Sequence, residues 1–325
     1  MTVVVLGIDA LDPDIVDTGT YPNLTLNNYR AIETIVSASG EPSTHELWPT
    51  IITGLRPSEH GLTLENDGVA WGHPLLDYGS TVADYLLPEH IQTQVGAWLL
   101  TNTKADAFRT PATYYSENDI PTIFDGRVAT GIGIPNYVVD SDSEDREHHL
   151  RRNLGELFER DPGTKGGHTS ANPEEFYELC MEMAMIRLAR ARRCLRSGQY
   201  ELVFAYTSGL DLIGHVAHDR PELQRLAYKE LDEFVGELRD DLANKDKLIL
   251  VSDHGLQDGL HTEEAMIAAT DPALTEGVTS VLDIGGSIQN ELNRGLHEPD
   301  KKSPEHPGDI TDEAVREHLE DLGYI

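Results

Sequence analysis

Apolar residues recur along this chain in two ways. Short unbroken runs, several of them β-branched, stand at "TVVVLGI" (2–8), "YELVFAYT" (200–207) and "DKLILVSDHG" (246–255). Such runs predict strands buried on both faces of a parallel sheet. "TQVGAWLL" (93–100) and "RVATGIGIPN" (127–136) predict two more. Between them lie stretches of helical period: "STVADYLLPEH" (80–90), "NPEEFYELCMEMAMIRLARARRCLRSG" (172–198), "PELQRLAYKELDEFVGELRDDLAN" (221–244) and "TDEAVREHLEDLGYI" (311–325). The 172–198 segment is fully signposted. Asn172 is placed to cap it, Pro173 opens it, Glu174 and Glu175 fill the first turn, and Gly198 ends it. Phe176, Leu179, Cys180, Met183 and Ile186 form its apolar stripe.

Strands alternating with helices predict an α/β fold, a three-layer sandwich with a mostly parallel central sheet covered by helices on both faces. Residues 1–325 read as one domain. The polar stretch at about 101–171 reads as an insertion or cap over one end of the sheet; it holds the charge run "DSDSEDREHH" (140–149) and the glycine-rich "DPGTKGGHTSANP" (161–173). Ligands of such sheets gather at the carboxyl ends of the strands. Polar groups follow three of the strands here, at Asp9, at Asp211 and at Ser252-Asp253-His254.

Composition sharpens this. There are 57 acidic against 25 basic residues, giving a formal net charge of −32, and only seven of the basic residues are lysine. That balance predicts a halophilic source, because concentrated salt screens the self-repulsion of an acidic surface. It also speaks against binding a nucleic-acid duplex, since no broad face supplies phosphate-neutralising charge. Cys180 and Cys194 fall in one predicted helix, about 21 Å apart along its axis, which excludes a disulfide between them. No apolar stretch approaches the length of a membrane span, and "MTVVVLGIDALD" lacks the charged start of a secretory leader. The expectation is a soluble, cytoplasmic protein with no membrane partner.

The strand-end residues are metal-ligating types. In "DLIGH", Asp211 and His215 are four apart and share a face if the segment is helical. In "SDHG", an acid and an imidazole stand side by side where a strand gives way to a loop, so that they can point to different ions. His261 follows in "DGLHTEEA". Carboxylate and imidazole together suit Zn²⁺, Mn²⁺ or iron. His148, His149 and His218 lie in charged surroundings and read as solvated. "STHELWPTIITG" (43–54) reads as a loop and helix start that presents a hydroxyl, and "LRPSEHG" follows it.

Together these pieces resemble the alkaline phosphatase superfamily, and within it the type I phosphodiesterase/nucleotide pyrophosphatase family. The resemblance runs from "GIDALD" to "DGLH", and "ITDEAVREHLEDLGYI" is similar to the tails of archaeal and bacterial members. With the acidic composition, it points to a haloarchaeal member. In that family the nucleophile lies nine residues before the Thr of a Thr-Gly pair, with Pro-x-x-His-Gly following. Counting back from Thr53 gives Thr44; Ser43 and Thr50 do not keep the spacing, and His60 of "PSEHG" reads as structural. Trp48 stands where members often carry an aromatic residue. The resemblance implies two divalent ions, Zn²⁺ or Mn²⁺, one held by Asp9, Thr44, Asp253 and His254 and the other by Asp211, His215 and His261. Three carboxylates against two such ions leave about +1, which suits an anionic phosphate ester. Two features depart from the pattern. Glu46 stands where members often have Pro, and Asn66 is one residue from the position of the family's phosphoryl-binding Asn. Asn66 is the candidate for that contact.

The implied function is metal-dependent hydrolysis of a small phosphate ester, with phosphodiesterase or nucleotide pyrophosphatase activity foremost. Phosphomonoesterase, phosphonate hydrolase and phosphomutase chemistry share the metal core, and a non-catalytic ligand-binding member is the alternative of a different class. A dinucleotide-binding fold would need G-x-G-x-x-G after its first strand, where this chain has "GIDALD". A sulfatase would need C/S-x-P-x-R at the nucleophile, and Thr44 is followed by no such motif.

Overall fold

The computed structural model describes residues 1–38, 40–63, 109–139 and 147–296. Asn66, the helix at 80–90, the strand at 93–100, most of the 140–149 charge run and the helix at 311–325 lie outside the described residues. In chain order the elements begin with β1 (Val3–Ile8), α1 (Pro22–Thr25), β2 (Asn28–Glu33), α2 (Thr44–Thr53) and α3 (Pro57–His60). Next come α4 (Thr113–Glu117), β3 (Ala129–Ile132), α5 (His148–Leu157), β4 (Glu159–Arg160), β5 (His168–Thr169) and α6 (Pro173–Ser197). After them follow β6 (Leu202–Thr207), α7 (Gly209–Val216), α8 (Pro221–Asp240), β7 (Lys247–Val251), β8 (Gly255–Gln257), β9 (Leu260–Thr262), β10 (Glu264–Ala269) and α9 (Val281–Leu296).

Every residue of β1 and β6 is buried, which a strand achieves only between neighbours in a sheet covered on both sides. The six-stranded sheet runs β2-β10-β7-β1-β6-β3. β7, β1, β6 and β3 are mutually parallel, and β10 is antiparallel to both β7 and β2. Alternation along each strand divides the core. Val4, Leu6 and Ile8, with Val203 and Leu250, pack against Phe176, Leu188, Ile213 and Leu231 of α6, α7 and α8. Val3 and Val5, with Phe204 and Ile249, pack against Leu47, Trp48 and Ile51 of α2 and Val281 and Ile284 of α9. The result is three layers with a largely parallel sheet in the middle.

The chain divides by its contacts into Met1–Leu292 and Asn293–Ile325; of the second unit, only the last turn of α9 is described. β3 lies within the 101–171 range and nonetheless belongs to the sheet, as its edge strand beside β6. β2, β10 and the small β8–β9 hairpin carry no strong pattern in the sequence, whereas Val281, Ile284, Ile288 and Leu292 of α9 keep helical spacing. "NYRAIE" buries only Ile32, and "EAMIAA" holds one β-branched residue, so neighbouring strands decide their conformation.

Part of the acidic charge is stitched between α6 and α8. Arg192 Nε meets Asp241 Oδ2 at 2.7 Å, Arg196 Nη2 meets Asp241 Oδ1 at 2.7 Å, and Arg192 also pairs with Glu237. The remaining excess is uncompensated within a chain of net charge −32. The Debye length falls from about 10 Å at 0.1 M salt to about 3 Å at 1 M. The thermal midpoint is therefore expected to rise by more than about 5 °C over that interval, equivalent to roughly 3 kcal/mol for a chain of this size. Scanning calorimetry across a KCl series measures it, and a flat or falling midpoint contradicts the expectation.

Candidate functional site

The parallel register sets Ile8 beside Thr207 and Gly7 beside Val251, so three strands end at one edge of the sheet. Asp9 continues β1 there, its backbone N–H donating to Thr207 O at 2.9 Å. Asp211 and His215 lie one turn apart on α7, and Asp253 and His254 leave β7. His261 reaches the same place on β9, paired across its hairpin with Leu256. Thr44 opens α2 from the opposite layer, and the side chain of its N-cap residue, Ser43, makes no capping hydrogen bond.

All seven positions converge. Thr44 Oγ1 is 3.4 Å from Asp9 Oδ1 and 3.3 Å from His254 Nε2. His254 Nε2 is also 3.3 Å from Asp9 Oδ1 and 3.4 Å from Asp253 Oδ2. On the other side, Asp211 Oδ1 lies 3.3 Å from Nε2 of both His215 and His261. Asp211 joins the two sets, because ligand atoms of Asp9, Asp211 and His254 lie within 4.8 Å of one another, as do those of Asp211, His215 and His261. Asp253 and His254, adjacent in sequence, face the same set. Thr50, the rival hydroxyl on α2, is occupied: it donates to Glu46 O at 2.9 Å and meets His60 Nε2 at 3.1 Å.

The electrostatics of this cluster call for cations. Each ligand-type imidazole turns Nδ1 to a backbone carbonyl: His215 to Gly259 O at 3.0 Å, His254 to Gly255 O at 3.1 Å and His261 to Pro42 O at 3.0 Å. A carbonyl only accepts, so Nδ1 carries a proton, and it is Nε2 that turns inward, offering a lone pair wherever a cation displaces its proton. The Nε2 atoms of His215 and His261 then face each other at 2.9 Å. Among the described residues, neither oxygen of the wholly buried Asp253 meets a hydrogen-bond donor. Burial pushes the Asp9 carboxyl well above the ordinary range, aided by Asp253 and Asp211, and burial lifts Asp253 to about 6. Burial lowers His254. Burial also acts to raise Asp211, but the rings of His215 and His261 outweigh it and hold that carboxyl well down. His261 answers with a rise to about 9, as Asp211 overcomes the effect of burial. Inward lone pairs and crowded, undonated carboxylates are the donor set of divalent transition metals.

The start of α2 is braced by groups the sequence does not advertise. Pro49 lacks the N–H that would bond to His45 O within the helix. Asn136 Nδ2 supplies the missing donor at 3.0 Å from outside. Trp48, fully buried, lies against Gly7 of β1. A Cβ at Gly7 would stand 2.5 Å from the indole ring and 3.1 Å from Phe204. Gly7→Ala is thus expected to displace Trp48 and to cost about 1–3 kcal/mol, as overpacked cores do. A denaturant titration in high salt reads it; a wild-type midpoint contradicts this account of Gly7.

Two further neighbours were hidden in the sequence. His168, on the β4–β5 hairpin, stands 5.5 Å from the His215 ring. Gly166 of that hairpin passes so close that a Cβ would lie 2.6 Å from His215 O. Glu147, within the charge run that precedes α5, is buried and pairs with Arg187 at 2.9 Å. Composition alone signals neither role, since each depends on contacts between distant segments.

A family model described as type I phosphodiesterase / nucleotide pyrophosphatase matches residues 3–318. The chain belongs to that family. Its description places this family member among phosphoester hydrolases. No curated protein matches the chain significantly. Among solved structures, it is similar to the PH0037 protein from Pyrococcus horikoshii, at 11% identity and a TM-score of 0.46, over 93% of this chain and 99% of that one. It is similar to murine ectonucleotide pyrophosphatase/phosphodiesterase 5 at 16% identity and a TM-score of 0.40, over 78% and 57%. It is likewise similar to phosphonoacetate hydrolase from Sinorhizobium meliloti 1021, at 15% identity and 0.39, over 78% and 56%. The chain spans little more than half the length of those last two. No helix among the described residues is long and apolar enough to cross a membrane.

Proposed function

We propose that this protein is a two-metal phosphodiesterase or nucleotide pyrophosphatase in which Thr44 is the nucleophile. The observation that carries the reading is the position of Thr44 Oγ1, 3.3–3.4 Å from Asp9 Oδ1 and His254 Nε2, at the start of α2. Asp9, Thr44, Asp253 and His254 would hold one divalent ion, and Asp211, His215 and His261 the other, Zn²⁺ or Mn²⁺ being the ions such ligands favour. When bound, such a pair supplies charge stabilisation to the attacking and leaving oxygens of an in-line displacement.

The protein's own groups do the rest. Thr44 Oγ1 forms a bond to phosphorus as the ester's leaving oxygen departs, giving a phosphothreonine that water then hydrolyses. Asp9 Oδ1 accepts from the hydroxyl and aims it. The N-terminus of α2, at which Thr44 stands, directs the positive end of the helix toward the phosphoryl oxygens. Asn66 is proposed as a further phosphoryl contact. Apart from β3, which belongs to the sheet, the segment 101–171 is proposed as a cap over the leaving-group side, in a single domain. The acidic composition supports a halophilic, cytoplasmic setting, with the substrate a small phosphate ester rather than a nucleic-acid duplex.

The test is hydrolysis of bis-p-nitrophenyl phosphate and p-nitrophenyl phosphate in high salt, with Zn²⁺ or Mn²⁺ and with EDTA. Faster, EDTA-sensitive cleavage of the diester is expected. Faster monoester cleavage overturns the choice in favour of a phosphomonoesterase. Two bound metals with no turnover of either ester favour a binding protein.

A further inference from the structure

One buried tyrosine stands behind Asp9. Tyr206, the penultimate residue of β6, is 5% exposed and donates its hydroxyl to Asp9 Oδ2 at 2.5 Å. The other oxygen, Asp9 Oδ1, is the one that faces Thr44 Oγ1 and His254 Nε2. A carboxylate on a short linkage can rotate, and a donor on one oxygen fixes where the other points. The tyrosine ring is held in turn. Trp48, one turn along α2 from Thr44, meets it edge-on with centroids 4.9 Å apart. On another side the Arg187 guanidinium lies 5.6 Å from the ring centroid, and Arg187 Nη1 donates to Tyr206 O at 3.2 Å.

Arg187 is itself immobilised. It is 4% exposed and gives Glu147 Oε2 two hydrogen bonds, from Nε at 3.1 Å and Nη2 at 2.9 Å. Arg190 Nη1 takes the second oxygen of Glu147 at 3.2 Å. A buried ion pair of this kind contributes little net stability against an apolar substitute, so its presence is better explained by what it holds in place. What it holds is the end of β6 and the ring of Tyr206.

We propose that Tyr206 is a positioning residue, clamped between Trp48 and the Arg187–Glu147 pair, that orients Asp9 toward the ion and the hydroxyl of Thr44. This rests on the reading of Asp9 as a metal ligand. It gives Trp48 a second task beyond filling the core, since the same ring that fixes Asp9 also fixes the helix bearing Thr44.

Tyr206→Phe keeps the ring against Trp48 and Arg187 and removes only the hydroxyl. Metal-free protein is titrated with Zn²⁺ against a chromophoric chelator. Wild type is expected to take up two equivalents. Tyr206→Phe is expected to bind one of them about 10–100-fold more weakly, with the other unchanged, the usual effect of losing a partner of a metal ligand. Asp9→Asn is expected to weaken that same equivalent, and Asp9→Asn/Tyr206→Phe to match Asp9→Asn alone, because the tyrosine acts through the carboxylate. Wild-type affinities in Tyr206→Phe, a loss shared equally by both equivalents, or additive losses in the double variant each overturn the proposal while leaving the metal reading intact. A wild-type protein that takes up no Zn²⁺ overturns the metal reading itself, and this inference with it.

Discussion

Thr44→Ala should abolish diester hydrolysis while leaving two equivalents of metal bound. Removing a nucleophile that acts as one unit with its site costs on the order of 10⁴- to 10⁶-fold in kcat. Thr44 is the hydroxyl that faces Asp9 and His254, and the other two hydroxyls on its helix are engaged, Thr50 with Glu46 O and His60 and Thr53 with Pro49 O. No nearby oxygen on α2 is therefore poised to substitute. Thr44→Ser keeps the oxygen and is expected to retain much of the rate. The metal count should survive in Thr44→Ala because the carboxylates and imidazoles remain, with Asp9 and Asp253 still buried beside His254. The measurement is steady-state hydrolysis of bis-p-nitrophenyl phosphate alongside metal analysis of the same samples. Undiminished, metal-dependent turnover in Thr44→Ala would remove this residue from the chemistry.

The sequence exposes some of this arrangement and conceals the rest, for physical reasons. β1, β6 and β7 were legible because a strand buried on both faces needs an unbroken apolar run, and few other structures do. The residues just beyond those runs, Asp9 and Asp253-His254, follow from them, since a parallel sheet opens its carboxyl edge to ligands. The pairing of Asp211 with His215 follows from helical spacing once α7 forms. Thr44 is different. Its choice over Ser43 and Thr50 comes from the spacing shared with a family, and nothing in the local physics of "STHELWPT" singles it out. Tyr206 is illegible for another reason: within "LVFAYT" it reads as one more core residue, and only the fold brings its hydroxyl to Asp9. Asn136 matters because Pro49 leaves a carbonyl unmet 91 residues away, a debt that no window along the chain can display. β10 was missed because "EAMIAA" has no strand signature of its own; it is held by Val251 and Leu250 on one side and by β2 on the other.

Asp211→Asn should separate metal holding from chemistry in the opposite direction to Thr44→Ala. Asp211 Oδ1 stands 3.3 Å from Nε2 of both His215 and His261, and the residue belongs to both groups of potential ligands. Its charge is what draws the proton affinity of His261 up to about 9 against the effect of burial, and it is also among the charges that raise Asp9 and Asp253. Neutralising it leaves two inward imidazoles, with Nε2 atoms 2.9 Å apart, and no anion to balance a dication between them. One equivalent of Zn²⁺ should be lost, and diester hydrolysis should fall by at least about 100-fold, the upper end of what loss of an outer-shell partner costs. Stability reads the same event without turnover. An ion at 100 times its dissociation constant stabilises the folded state by about 2.7 kcal/mol for each site it fills. Added Zn²⁺ should therefore raise the unfolding midpoint of Asp211→Asn by about half as much as that of wild type, whereas Thr44→Ala should respond nearly in full. If Asp211→Asn binds two equivalents with wild-type affinity, Asp211, His215 and His261 are an ordinary buried hydrogen-bond cluster, and the second ion is held elsewhere.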